Sequence, residues 1–284
     1  MLNRNTVPTI VSIACGAIVL GTSMAAMAGR REPGGDGCTA IPIQQSLYTA
    51  LTDALSAAAP DQAANGGLGN HMWGTIVDRF GVVCAVTHTG DLGDQWLGSR
   101  VISAQKANTG VLFNLPGGVG GTVDALSTAN LWAATQPGGS LWGLQFSNPV
   151  DPRVAYGDND ASQDGADQSA EPGYGTRGDP LVGTFVGGIN VFGGGLGLFD
   201  AQGNLVGGLG VSGDTSCADH NIAWRTRNEL DLDQLTTGGV SGLSGPGFQD
   251  NIIYDLDADG VSAGGFGHPL CGFGEENADL PPTQ

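Results

Sequence analysis

Apolar side chains recur at Leu47, Ala50, Leu51, Ala54, Leu55 and Ala58, a spacing of three and four residues that gathers them on one helix face. This predicts a first helix that packs on a sheet. Two β-rich runs follow, Met72 to Val77 and Val82 to His88. Asp78-Arg79-Phe80-Gly81 separates them, which predicts an antiparallel hairpin. Ser99 is placed to cap a second helix reaching about Phe113. A short third helix is expected over Ser127 to Thr135, stopped by Gln136-Pro137-Gly138-Gly139. Gly195 to Phe199 and Leu205 to Val211 flank Asp200-Ala201-Gln202-Gly203-Asn204 and predict a second hairpin. A last helix should run from about Cys217 to Leu230. Connections of two to five residues cannot join parallel strands, so the expected class is α+β with a mainly antiparallel sheet.

The ends and one internal stretch lack this periodicity. Asn3 and Arg4 precede an apolar run from Val7 to Leu20, and Ala26-Met27-Ala28 forms an A-x-A site. That is the layout of a secretory signal peptide over 1–28, and it predicts an exported protein, periplasmic or secreted. No other segment supplies about 20 apolar residues, so membrane insertion is not expected. Residues 29–274 read as a single domain. Within it, 148–179 is rich in Asp, Gly, Ser and Pro and reads as a long acidic surface loop, and 231–274 as a carboxy-terminal extension. Residues 275–284 read as a flexible, frayed acidic tail.

Composition sharpens this picture. Twenty-eight acidic residues against ten basic ones give a net charge of −18, which makes nucleic acid and anionic membrane surfaces poor partners. Lys106 is the only lysine. Fifty glycines in 284 residues imply many tight turns and close backbone contacts. Beyond the signal peptide stand Cys38, Cys84, Cys217 and Cys271, an even set that favours two disulfides in an oxidising compartment. Three connectivities are open, with Cys217 to Cys271 preferred. None of the four has the C-x-x-C spacing usual for structural zinc.

Several motifs are weaker than they look. Gly208-Leu209-Gly210-Val211-Ser212-Gly213 satisfies G-x-G-x-x-G, but no βαβ alternation surrounds it, so its glycines read as strand-to-helix packing and not as a dinucleotide site. Asp255-Leu256-Asp257-Ala258-Asp259-Gly260 copies the first half of an EF-hand loop. The twelfth position is Phe266 where a bidentate Glu is needed, so a polar hairpin tip is expected there in place of calcium. There is no G-x-S-x-G elbow, no H-E-x-x-H helix and no P-loop.

Read in order, Asp78-Arg79-Phe80-Gly81, Ala104-Gln105-Lys106-Ala107, Gly187-Gly188-Ile189, Gly207 to Gly213 and Asp219-His220-Asn221-Ile222-Ala223 carry a recognisable pattern. The stretch from about Met72 to Leu230 resembles the GlcG/HbpS-like heme-binding family. Asn190 stands where that family usually has proline, and His220 where it usually has an acidic residue. The resemblance implies a profilin-like α+β domain that assembles into homo-oligomers and, in several members, binds heme.

Heme requires an apolar slot, an axial ligand and cations for its propionates. Cys217, His220 and Trp224 share one face of the last helix. His268 lies between Phe266 and Phe273, and a Cys217–Cys271 bridge would bring it close to His220. His220 and His268 are therefore the expected iron ligands and Trp224 a wall of the slot. Lys106, Arg225, Arg227 and Arg100 are the candidate cations, since carboxylates favour Arg forks. The alternative reading is an exported module that binds another small ligand, or an accessory subunit without a cofactor. Oxidative heme degradation is a third option, for which no distal acid is visible.

Overall fold

The computed structural model describes residues 37–59, 61–115, 125–157, 173–235, 239 and 245–284, all within one compact unit, Glu32–Gln284. The expected signal peptide lies outside the described residues. Three helices and four strands make the framework: α1 (Leu47–Ala58), β1 (Trp73–Asp78), β2 (Val83–His88), α2 (Ser99–Leu112), β3 (Gly195–Phe199), β4 (Leu205–Ser212) and α3 (Ser216–Glu229). The strands form one sheet in the order β2-β1-β4-β3, antiparallel throughout, with Ile76 opposite Ala85 on one side and Leu209 on the other. The fold is α+β, as the alternation of hairpins and helices requires.

Period-two alternation sorts the strands between two layers. Met72, Ile76, Leu196, Leu198, Leu209 and Val211 pack with the apolar face of α1 and with Ile222, Ala223 and Trp224 of α3. Trp73, Val77, Val83 and Val86 meet Val101, Ala104, Ala107 and Val111 of α2 on the other face. The helix α2 lies almost on the strand backbone. A Cβ added at Gly208 or Gly210 would overlap backbone atoms of Ala107 or Ser103, and one at Gly110 would sit 2.8 Å from the Leu196 nitrogen. The G-x-G-x-x-G stretch is thus a packing device, and its close partner is α2, not the helix that follows it. Gly210→Ala is expected to destabilise the protein by about 1–3 kcal/mol through overpacking. Gly98→Ala, where a Cβ meets nothing, should leave the urea midpoint unchanged.

Several expectations are corrected. The residue at the cap of α2 is Gly98, with no side-chain cap bond, while α1 and α3 are capped by Ser46 and Thr215. The short third helix is a 3-10 turn, Ala129–Leu131, followed by one α-turn, Trp132–Thr135. The 148–179 loop is anchored at both ends: Ala155 and Asp179 are buried, because Asp179 is the ion-pair partner of Arg100. The 275–284 tail is not frayed. Glu275 is buried and accepts bonds from the backbone N–H groups of Cys271, Gly272 and Phe273, Pro281 O accepts the Trp224 indole N–H at 2.7 Å, and Thr283 bonds Gln249. The Asp255 carboxylate accepts from Ser262 Oγ and Gly264 N, and Asp257 from Asp259 N and Val261 N, the hydrogen bonds of a hairpin tip. Two disulfides are present, Cys38–Cys84 and Cys217–Cys271.

Candidate functional site

The Cys217–Cys271 bridge ties the first turn of α3 to the 268–271 loop, and so gathers the residues expected to hold iron. His220 and His268 do share this region, and a positive charge on His268 would oppose protonation of His220. Both are buried in the interior. Nε2 of His220 pairs with the Asn251 side chain at 3.0 Å and lies 3.1 Å from the Ile252 N–H, which donates toward both, and Nδ1 is buried without a hydrogen bond. His268 Nε2 pairs with Ser216 Oγ at 2.6 Å and Nδ1 with Pro269 O at 2.7 Å. Burial pushes the His220 ring down to about 3 and His268 down to about 4. Both imidazoles are neutral at pH 7.

The other expected contacts are also internal. Trp224 is buried and stacks on Phe248 at a 6.0 Å centroid distance. Arg225 donates to Asn65 Oδ1 and Ala64 O. Lys106 is buried against Asp219, with Nζ 2.6 Å from the carboxylate, and Arg227 forms a buried fork with Asp250. Burial raises Asp219 to about 6, a shift that the Lys106 ammonium opposes. Lys106 and Arg227 are matched by internal carboxylates, and Arg225 by an amide and a backbone oxygen. A propionate would have to displace those partners, so these residues are structural and do not line an open slot.

The open site lies elsewhere. A cleft of about 440 Å³ is lined by Leu92, Leu97, Arg100, Val101, Tyr156 and Tyr174, among others. Leu92, Leu97 and Tyr156 are exposed, whereas Arg100 is buried. The Arg100 guanidinium lies 3.8 Å over the Tyr174 ring and forms a fork with Asp179, with Nε at 2.9 Å from Oδ2. The fork fixes the base of the cleft and a cation at its wall. A second hollow, of about 600 Å³, lies at His71, His88, Thr89 and Gly90 and is lined by small polar groups. The His88 ring stands edge-on to Trp73, 5.1 Å away.

The needs of heme separate these places. The cleft has apolar walls, two phenols of the type that can ligate iron, and one arginine. The second hollow has imidazoles but neither apolar walls nor a cation, and the interior histidines have no open face. Among these places the cleft suits a macrocycle best, and another hollow of about 480 Å³, with Ile41, Ile43, Leu47, Tyr48 and Arg177 in its lining, offers the same classes of group. Sequence reasoning named Arg100 as a candidate cation and missed the rest, because Leu92, Leu97, Tyr156 and Tyr174 come from segments with no shared motif. The one available signal was Tyr156 and Tyr174 bracketing the polar 157–173 stretch.

Among solved structures the chain is similar to protein ORFY of Klebsiella pneumoniae, at 20% identity over 64% of this chain and 88% of that one, with a TM-score of 0.37. It is also similar to PduOC in a heme complex, at 23% identity over 66% and 96%, TM-score 0.38. A doubly substituted HbpS of Streptomyces reticuli matches at 18% over 78% and 97%, TM-score 0.35. No curated protein sequence matches the chain. The family model described as "Haem degrading protein HbpS-like" matches residues 47–227, from the first residue of α1 almost to the end of α3. That span takes in the whole sheet and all three helices, and the chain belongs to the HbpS-like family.

Proposed function

We propose that the protein is an exported heme-binding protein whose heme site is the cleft between the 92–101 segment and Tyr156 and Tyr174. The observation that carries this reading is that cleft, an apolar opening with phenols and an arginine, set within a chain of a family described by its action on heme. Leu92, Leu97 and Val101 would cover the ring faces and Tyr156 would offer its oxygen to iron, while Arg100, already paired with Asp179, would stiffen the wall and a propionate edge would face solvent. Heme, when bound, supplies an iron centre for redox and oxygen chemistry. Export is supported by the 1–28 signal pattern and by the two disulfides, which persist in oxidising compartments. Self-assembly into homo-oligomers belongs to the same proposal. A site for a different small apolar ligand is the second reading, favoured by the absence of histidine from the lining of the cleft.

Heme titration of the oxidised protein tests the reading. A saturable one-to-one Soret shift is expected, at least tenfold weaker in Leu97→Glu and altered in position in Tyr156→Phe. Leu97 is 55% exposed, so the substitution blocks the cleft without disturbing the core. Failure to saturate would favour the second reading. A shift intact in Leu97→Glu but lost in His71→Ala or His88→Ala would move the site to the histidine-lined hollow.

A further inference from the structure

Cys217 lies some fifty residues before His268 and Cys271, yet the three present their sulfurs and a ring nitrogen within 4.8 Å of one another. Cys217 Sγ lies 4.0 Å from His268 Nδ1. Among the described residues this is the one such group of cysteine, histidine or carboxylate ligands. The C-x-x-C criterion misses it, because the loop after residue 251 supplies two of its three members from the far end of the chain.

We propose that this disulfide gates a zinc-class metal site: closed, it holds α3 to the 268–271 loop, and opened by reduction it becomes a Cys2His ligand set. A dithiol reductant delivers two electrons and two protons. The one S–S bond breaks, two S–H bonds form, and the reductant closes to its own disulfide. A divalent ion then takes the two sulfurs as thiolates, releasing both thiol protons, with His268 as the third ligand and water as the fourth. Tetrahedral zinc at about 2.3 Å from sulfur and 2.0 Å from nitrogen places ligand atoms roughly 3.5–3.8 Å apart, a spread that Cys217 Sγ and His268 Nδ1, 4.0 Å apart, already approach and that the two sulfurs would reach once their bond is broken.

The surroundings suit that role. Ligating histidines are usually fixed by a hydrogen bond at the other ring nitrogen, and Ser216 Oγ holds His268 Nε2 while itself accepting from Gly193 N at 2.8 Å. Ligation through Nδ1 moves the proton now shared with Pro269 O to Nε2, where the Ser216 oxygen can accept it. Ala129, Ile252 and Tyr254 pack around the two cysteines and shield the site. Cys271 is only half-buried, which leaves an entry for reductant and ion. The Cys38–Cys84 bridge has no such partner set among the described residues and serves as the internal control.

The test is to reduce the full protein anaerobically, remove the reductant and titrate with Co²⁺, then compete with Zn²⁺. The expected result is one Co²⁺ per chain with thiolate-to-cobalt charge-transfer absorption, absent before reduction and displaced by Zn²⁺. Cys38→Ser/Cys84→Ser should retain the band, Cys217→Ser/Cys271→Ser should lose it, and Ser216→Ala should weaken binding by about 10–100-fold. Ser216→Ala keeps both cysteines and the ring, so it reads orientation separately from folding, which near-ultraviolet circular dichroism monitors. The proposal is overturned if reduced protein with titrated free thiols shows no such band, or if the band survives in Cys217→Ser/Cys271→Ser.

Discussion

Acidification of the oxidised protein from pH 7 to pH 4 is expected to remove about 3–4 kcal/mol of stability, chiefly through His220 and His268. Both rings are buried and neutral, held down to about 3 and about 4 by loss of solvent, which in His220 outweighs the attraction of the Asp250 carboxylate. In the unfolded chain each takes its proton near 6.5. Below that pH the unfolded state therefore binds two protons that the native state does not, and stability falls as pH falls. Asp219 acts in the opposite sense. Its carboxyl is raised by burial to about 6, so between 6 and its ordinary 3.8 the native state holds the extra proton. One of the two histidine protons is thereby offset below pH 6, which leaves a slope of about 1.4 kcal/mol per pH unit from pH 6 to pH 4. Urea midpoints at pH 7.5, 6, 5 and 4 read this directly, and His220→Asn should flatten the lower part of the curve. Midpoints independent of pH across the window would mean that the native state admits the protons, and that the rings are not sealed as described.

The same two histidines show what a sequence can and cannot convey. Their proximity was legible, because one preferred disulfide links α3 to the loop carrying His268, and the bridge is present. Their environment was not. Asn251, Ser216 and Pro269, which saturate three of the four ring nitrogens, have no periodic or motif signature that points at a histidine. The helices and hairpins were legible for a local reason: the apolar face of α1 and the β-rich pairs around 78–81 and 200–204 encode their own geometry. The tail was misread for the converse reason. Its order comes from Glu275 binding three backbone N–H groups and from Trp224 reaching Pro281, contacts between residues 50 or more apart or within one polar turn. Lys106 is the sharpest case. As the only lysine of a chain with net charge −18 it looked available for an anionic ligand, yet one internal carboxylate takes it up.

Lys106→Met is accordingly expected to cost about 3–5 kcal/mol, the penalty for leaving the partner charge buried and unpaired. The ammonium is almost fully buried, 2.6 Å from Asp219 Oδ2 and 3.2 Å from Val211 O. Asp219 Oδ1 is held in turn by Asp214 N at 2.8 Å. The pair connects α2 to α3 around the end of the sheet, and the room for it is made by Gly194, where a Cβ would come 3.2 Å from Nζ and 3.0 Å from the Asp219 Cβ. Lys106→Met/Asp219→Leu removes both charges while keeping apolar volume, so most of the single-variant loss should be recovered. Urea denaturation of the four proteins of the cycle measures the coupling. If the double variant loses as much as the sum of the singles, the attraction between the charges contributes nothing and the lysine matters only as packing. The cycle also bears on the cleft, because α2 carries Arg100 and Val101 into its wall and Lys106 into the clamp on α3. A recovered double variant that still takes up heme would show that α2 can be held by apolar packing alone, whereas a stable double variant with weakened uptake would show that the ion pair also sets the position of that wall.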